Sequence, residues 1–156
     1  MTALDFSWLD DLRATHPEIP RVVHCRRAPY DVLIGRPSKW GNPYKIGDDG
    51  TRDQVIRWYQ SHVRQAPELL AALHELYGKT LGCWCAPQAC HGDVLAGLVA
   101  EALGLAARCE RCTELFPRAR TGRPRQFCTG RCRTTNHRSF GAEAHRALGQ
   151  DGPRVG

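Results

Sequence analysis

Apolar residues follow two alternating spacings along the first hundred positions, one typical of helices and one typical of strands. Val55, Tyr59 and Val63 return to one face of a helix, whereas the run RVVHCR at 21–26 is typical of a short strand. The predicted elements are a helix over 4–14, strands over 21–26 and 31–36, helices over 53–65 and 67–77, a buried strand over 79–85 and a helix over 93–103. Strands that alternate with helices predict an α/β layer architecture.

Prolines, glycines and changes in composition divide the chain into four parts. A helical extension is expected over residues 1–20, because Pro17 and Pro20 follow the first helix. A small compact α/β domain is expected over 21–104, and the short stretch that starts at Gly104 acts as a linker. A zinc-stabilised finger is expected over 108–138, followed by a tail over 139–156.

Bulk composition narrows the class of protein. The chain has 156 residues, of which 42% are hydrophobic, and this is enough to bury a core. The apolar runs are all shorter than the roughly 20 residues needed to cross a bilayer, so no membrane association is expected. The N-terminus is acidic and lacks the features of a secretory signal. A cytoplasmic protein is expected, and the sequence does not indicate its oligomeric state.

Positive charge is concentrated in one segment. Residues 1–107 carry 11 Lys and Arg against 12 Asp and Glu, a net charge of −1. Residues 108–138 carry nine Arg and two Glu, a net charge of +7. A segment of this kind favours a polyanionic partner, and we expect it to bind nucleic acid rather than only to keep the protein soluble.

Four of the eight cysteines have the spacing of a zinc site. Cys109 and Cys112 are separated by two residues, and Cys128 and Cys132 by three, with fifteen residues between the pairs. Four thiolates make a closed tetrahedral site, which is structural and not catalytic. Four thiolates already saturate such a site, so His137 is expected at the surface. Unliganded or redox-active cysteines are the alternative.

The residues between the two cysteine pairs complete a treble-clef-like finger. Thr121 and Gly122 predict a β-hairpin that brings the pairs together, and a short helix is expected to carry Cys132. Alternation along the hairpin would project many of its arginines in one direction. The arginines expected to contact phosphate are Arg118, Arg120, Arg123, Arg125, Arg131 and Arg133.

The segment GCWCAPQACHGDVL at 82–95 holds the densest group of reactive side chains. Cys83 and Cys85 would share one face of a strand, and Cys90 with His91 falls at the start of the next helix. Three interpretations remain open: a second metal site made of Cys83, Cys85, Cys90 and His91; a cysteine nucleophile paired with His91; or buried cysteines that only pack. The candidate catalytic residues are Cys83, Cys90, His91 and Asp93.

Two segments carry a family resemblance: VVHCRRAPYDVLIGRPSKWGNPY at 22–44 and GCWCAPQACHGDVL at 82–95. Together they resemble a bacterial and phage family known as domain of unknown function 4326. The resemblance covers about residues 21–100. It implies one compact α/β domain in which the two segments share a site, and it implies no established activity. The basic finger lies outside the domain.

The first of these segments has the composition of a loop that binds anions. Cationic side chains surround glycines whose backbone N–H groups can contact phosphate, and Trp40 and Tyr44 present flat faces to a base. The alternative is a rigid, packed loop with Trp40 in the core. The candidate residues for a nucleotide-like ligand are Arg26, Arg36, Lys39, Trp40 and Asn42. If both segments line one pocket, its polar lining is expected to be Arg36, Asn42, Cys83, Cys90, His91 and Asp93, joined by either His24 or Cys25.

Three functions follow from these patterns. The first is an enzyme that acts on a nucleotide, nucleoside or nucleic-acid base and is targeted to nucleic acid by the finger, with His91 or Asp93 for proton transfer. The second is a non-catalytic nucleic-acid-binding adaptor in which zinc is only structural. A thiol redox sensor that uses Cys83 and Cys85 is less supported, because their spacing is not Cys-x-x-Cys.

Overall fold

The computed structural model of the protein describes residues 4–136, and the predicted tail, His137 and Arg138 lie outside this range. The chain divides into two compact units, one ending at Ala106 and the other beginning at Ala107. The first unit contains helices and a parallel sheet, and the second contains the cysteine-rich segment. This confirms the prediction of a small α/β domain followed by a finger. Over residues 4–136, every helix is too short or too polar to span a bilayer.

The first unit is built around a three-stranded parallel sheet. Its strands are β1 (Arg21–His24), β2 (Val32–Leu33) and β3 (Thr80–Cys83), in the order β1-β3-β2. β3 is central: Arg21 pairs with Thr80 on one side, and Val32 pairs with Leu81 on the other. Because all three strands are parallel, their carboxyl ends meet at one edge. Segments that lie far apart in sequence are brought together at this edge.

The described part of the first unit contains four α-helices. They are α1 (Trp8–Thr15), α2 (Arg52–Arg64), α3 (Pro67–Ala72) and α4 (His91–Ala102). α2 begins with a reciprocal capping box between Thr51 and Gln54. α3 begins at Pro67, and proline is tolerated there because the backbone N–H groups of a first helical turn have no partner within the helix. The predicted helix over 67–77 changes to a 3₁₀-helix at Leu73–Leu76.

The core of this unit lies between α2, α4 and the sheet. α2 buries one face, including Val55, Ile56, Tyr59 and Val63, as its periodicity predicts. α4 is buried almost all round from His91 to Ala100, which is typical of a central helix. It approaches the sheet closely at Gly92, where a Cβ atom would lie 2.8 Å from Ile34 Cδ1.

The chain from the unit boundary onward contains two short paired strands, β4 (Ala106–Arg108) and β5 (Leu115–Pro117), and helical residues at 130–136. β4 begins at the last residue of the first unit. The predicted hairpin around Thr121 and Gly122 is wrong, since residues 118–129 form no strand. Residues 118–126 are all exposed and include Pro124, so a strand there would have no apolar face to bury and would lack a donor. The strands instead flank the first cysteine pair.

Candidate functional site

Three side chains that can bind a metal or act as nucleophiles converge at the carboxyl edge of the parallel sheet. Cys83 is the last residue of β3, Cys90 caps α4, and His91 is the first residue of α4. All three are buried, and their ligating atoms lie within 4.8 Å of one another. Cys83 Sγ is 3.9 Å from His91 Nδ1.

A backbone hydrogen bond fixes the orientation and tautomer of His91. Its Nε2 lies 2.7 Å from the carbonyl oxygen of Ile34, which follows β2. A carbonyl only accepts, so Nε2 carries the proton and donates. Burial lowers the pKa of His91, with a smaller contribution from Arg36, and this favours the neutral ring. Nδ1 therefore presents its lone pair towards Cys83.

The sulfur atoms of this cluster accept hydrogen bonds from the backbone. Gly92 N donates to Cys90 Sγ at 3.2 Å, and Cys85 N donates to Cys83 Sγ at 3.5 Å. The Cys85 thiol lowers the pKa of Cys83, but the Cys90 thiol and burial raise it, with a net increase to about 11. The Cys83 thiol and burial also raise the pKa of Cys85, against the opposing charge of Arg52. A bound cation would reverse this balance, because opposite charge stabilises thiolates.

The cluster forms part of the wall of a cavity of about 520 Å³, a size within the range of small-ligand sites. Its position at the carboxyl ends of parallel strands is the one where open α/β sheets bind ligands. The polar and aromatic residues of the lining are Arg36, Asn42, Tyr44, Lys45, Asp48, Arg52, Cys83, Trp84, Cys85, Cys90 and His91. Three of these are cations and one is an acid, so the cavity favours an anion.

Several predicted ligand residues lie elsewhere. Trp40 is only 2% exposed and belongs to the core, where its carbonyl accepts a hydrogen bond from Tyr59 Oη at 2.7 Å. Lys39 forms an exposed ion pair with Glu75, and the Arg26 guanidinium lies 4.8 Å from the centre of the Trp84 ring. None of these predicted residues lines the cavity.

Asp93 and Asn42 have structural contacts. Asp93 Oδ2 accepts from Cys90 N at 2.9 Å, which completes the capping box of α4, and Asp93 does not line the cavity. Asn42 does line it, but its amide bridges two segments by donating to Val55 O and accepting from Tyr44 N. Neither His24 nor Cys25 lines the cavity, although one of them was expected there.

Sequence reasoning missed Arg52, Lys45 and Trp84 as parts of the lining. In the strand predicted over 79–85, Trp84 would lie on the face opposite Cys83 and Cys85, but β3 ends at Cys83 and the chain bends there. Arg52 lies at the start of α2, where its Nη1 donates to Ala89 O at 3.1 Å. The only local signal for Arg52 was its place in a first helical turn, and that does not indicate a cavity.

The second unit contains the predicted group of four cysteines. The sulfur atoms of Cys109, Cys112, Cys128 and Cys132 lie within 4.8 Å of one another, with 3.5 Å between Cys112 and Cys128 and 3.6 Å between Cys128 and Cys132. Tetrahedral zinc–thiolate bonds of about 2.3 Å require sulfur atoms about 3.8 Å apart, so the arrangement fits a metal ion. Burial raises the pKa of Cys109, but backbone N–H donors outweigh it and lower that pKa to about 6.

The arginines of this unit that the structure describes are exposed. All six that were expected to contact phosphate have exposed side chains, although they do not alternate along a strand. Arg123, Arg125 and Arg133 line one broad groove of about 1000 Å³ together with Phe127 and Thr129.

The first unit can be assigned to a family. The chain belongs to the family described as a domain of unknown function (DUF4326), whose model matches residues 20–101, and this confirms the resemblance. It is 36% identical over 83 residues to an uncharacterised 12.4 kDa protein of the nrdA-td intergenic region of Enterobacteria phage T4, covering 51% of this chain and 76% of that protein. No solved structure is significantly similar to the chain.

A second relative is an uncharacterised protein of Acanthamoeba polyphaga mimivirus. It is 34% identical over 86 residues, covering 44% of this chain and 65% of that protein. All the residues that line the cavity fall inside the segment matched by the family model, whereas the four-cysteine group lies outside it.

Proposed function

We propose that the protein is an enzyme that acts on a nucleotide, nucleoside or nucleic-acid base held in the cavity of its α/β domain. One observation carries this proposal: Cys83, Cys90 and His91 converge on the wall of a cavity that also contains three cations. Buried groups that can bind metal or transfer protons, placed in a cleft, are the usual composition of a catalytic site. His91 Nδ1 is the atom available to accept a proton or bind a metal ion.

The lining accounts for the proposed class of substrate. Arg36, Lys45 and Arg52 can bind phosphate, and Arg36 forms no ion pair with any carboxylate among the described residues. The aromatic residues Tyr44 and Trp84 line the same cavity, and Trp84 is 51% exposed. Stacking on such rings accepts any base, which explains affinity for a nucleotide without specifying which one.

Binding of a panel of ribonucleoside and deoxyribonucleoside 5′-monophosphates tests this proposal. We expect at least one to bind the full chain and to quench tryptophan fluorescence, with its free nucleoside bound more weakly. Arg36→Ala should weaken binding about 10-fold or more, as expected for a charge-assisted hydrogen bond. Arg27→Ala is the matched control, because Arg27 is exposed and does not line the cavity.

Turnover of the bound nucleotide is followed by mass spectrometry of the products. His91→Ala should abolish turnover while the circular dichroism spectrum keeps its helical signal. If no nucleotide, nucleoside or base binds, or if Arg36→Ala and Arg27→Ala have equal effects, the substrate class is wrong. If nucleotides bind without turnover and the second unit binds nucleic acid, the protein is a non-catalytic adaptor.

For the second unit we propose a zinc finger that binds nucleic acid. The four sulfur atoms fit a closed tetrahedral site, and exposed arginines occur in the same segment of the chain. Each phosphate contact on duplex DNA adds about −0.9 to the slope of log affinity against log salt concentration. Arg123→Ala with Arg125→Ala should therefore make the slope less negative by about 2. The control pair Arg21→Ala with Arg27→Ala removes the same charge from the first unit, and equal effects of the two pairs would contradict the proposal.

A further inference from the structure

The cysteine and histidine cluster of the α/β domain differs from the finger in the number of ligand atoms that it brings together. In the finger, four sulfur atoms surround one point and leave no position for another ligand. In the α/β domain only Cys83, Cys90 and His91 have ligating atoms in mutual reach. Cys85 also lines the cavity, but its sulfur is not within that group.

The spacing of the three ligating atoms is compatible with a zinc site, since all lie within 4.8 Å of one another. Tetrahedral geometry with bonds of about 2.3 Å to sulfur and 2.0–2.1 Å to nitrogen separates these atoms by about 3.6 Å, and Cys83 Sγ is 3.9 Å from His91 Nδ1. The hydrogen bond from His91 Nε2 to Ile34 O leaves Nδ1 unprotonated, 3.9 Å from Cys83 Sγ. A backbone acceptor on the other ring nitrogen is the usual support of a metal-binding histidine.

The backbone also prepares the two sulfur atoms for negative charge. Cys90 Sγ accepts from Gly92 N in the first turn of α4, and Cys83 Sγ accepts from Cys85 N. These N–H groups stabilise thiolates once a cation displaces their protons. Two thiolates and one imidazole are soft and borderline ligands, which favour zinc over magnesium or calcium.

All three ligand residues line the cavity, so an ion that they bind would lie at the cavity wall. Catalytic zinc sites have three protein ligands and keep a fourth position for water or substrate, whereas structural sites are closed. We propose that Cys83, Cys90 and His91 bind a zinc ion whose fourth coordination position opens into the nucleotide cavity.

This geometry indicates the class of reaction. An open position beside a bound substrate suits hydrolysis: the water oxygen bonds to an electrophilic carbon or phosphorus, the bond to the leaving group breaks, and the leaving group departs with a proton from that water. Hydrolysis requires no co-reactant other than water. The reaction class rests on the proposed function, whereas the metal site does not.

Metal content per chain is the first test. We expect elemental mass spectrometry of the purified full chain, after passage over a chelating resin, to give two zinc ions. Cys90→Ser and His91→Ala should each give one, and serine keeps the N-cap of α4. Cys85→Ser and Cys25→Ser should each still give two, because neither residue belongs to the ligand set. Circular dichroism checks that each variant is folded.

A single zinc ion in the wild-type chain that both Cys90→Ser and His91→Ala retain would overturn the site, because an ion that is retained cannot be explained by misfolding of a variant. Loss of the second ion in Cys85→Ser would also overturn the proposal, because it would indicate a closed site with four ligands. The open position has its own readout. Azide or cyanide should change the visible spectrum of the cobalt(II)-substituted wild-type chain and leave that of His91→Ala unchanged, and an unresponsive wild-type spectrum would contradict an open position.

These outcomes separate the metal site from the proposed function. Two ions with the expected variant pattern, in a protein that binds no nucleotide, would retain the site and reject the substrate. Nucleotide binding and turnover in a chain whose single ion is retained in Cys90→Ser and His91→Ala would keep the function and reject the site.

Discussion

Replacement of Gly82 by alanine should destabilise the α/β domain through a single contact. Gly82 lies in the central strand β3, and a Cβ atom there would lie 2.6 Å from Cγ of Tyr30 and 2.8 and 2.9 Å from its two Cδ atoms. These atoms belong to the part of the ring nearest the backbone, so a small side-chain rotation does not clear them. The ring must leave the sheet or the strand must move.

The size of the effect follows from the burial of Tyr30. Its side chain is 41% exposed, so roughly 120 Å² of an aromatic residue of about 200 Å² is buried, worth about 3 kcal/mol if all of it were lost. If the Tyr30 ring moves only part of the way out, less of this burial is lost. Alanine is also favoured over glycine in a strand by about 0.5–1 kcal/mol, which offsets part of the cost. We expect Gly82→Ala to lower the free energy of unfolding by about 1–2 kcal/mol.

Urea denaturation followed by tryptophan fluorescence measures this change in the right unit, because all four tryptophans precede residue 107. The control is the same substitution in a Tyr30→Ala background, which removes the three atoms nearest to the added Cβ atom. There Gly82→Ala should be neutral or slightly stabilising. If it costs as much in the Tyr30→Ala background as in the wild type, the Tyr30 contact does not explain the effect.

Three further predictions concern other parts of the chain. Tyr59→Phe removes the buried hydrogen bond to Trp40 O and should destabilise the α/β domain by about 1–2 kcal/mol in the same urea assay; a neutral result would mean that another donor replaces it. Thr51→Ala removes the capping box of α2 and should cost about 1 kcal/mol, whereas Thr51→Ser should cost much less. Cys128→Ser should lose one metal ion and make the chain after residue 107 sensitive to limited proteolysis, while tryptophan fluorescence stays unchanged; a protease-resistant second unit would contradict a metal-dependent fold.

Elements with strong local signals were predicted well from the sequence. The helix predicted over 53–65 occurs at Arg52–Arg64, because its capping box and its apolar face are both encoded within one short segment. The four cysteines of the second unit were predicted from spacing alone, and their sulfur atoms do come together. Within each pair, the short spacing holds the two sulfur atoms close together, so spacing alone is a strong signal for a shared site.

Elements whose length depends on a distant partner were predicted less well. The strand predicted over 79–85 ends at Cys83, because its last partner in the neighbouring strand is His24 and no pairing continues beyond it. The hairpin predicted around Thr121 and Gly122 is absent, because a turn signal does not form strands without an apolar face to bury. The paired strands occur where Leu115 and Phe116 are buried.

The sequence by itself determined the local chemistry of this protein: the helix caps, the apolar faces, the sulfur and imidazole ligands, and the concentration of arginines near the C-terminus. Only the tertiary structure decided which of these groups share a site. His91 is oriented by Ile34 O, 57 positions away, because parallel strands end at one edge and α4 starts there. The same packing places Trp40 in the core and Arg52 on the cavity wall. Both outcomes depend on contacts between distant segments, which local sequence patterns do not specify.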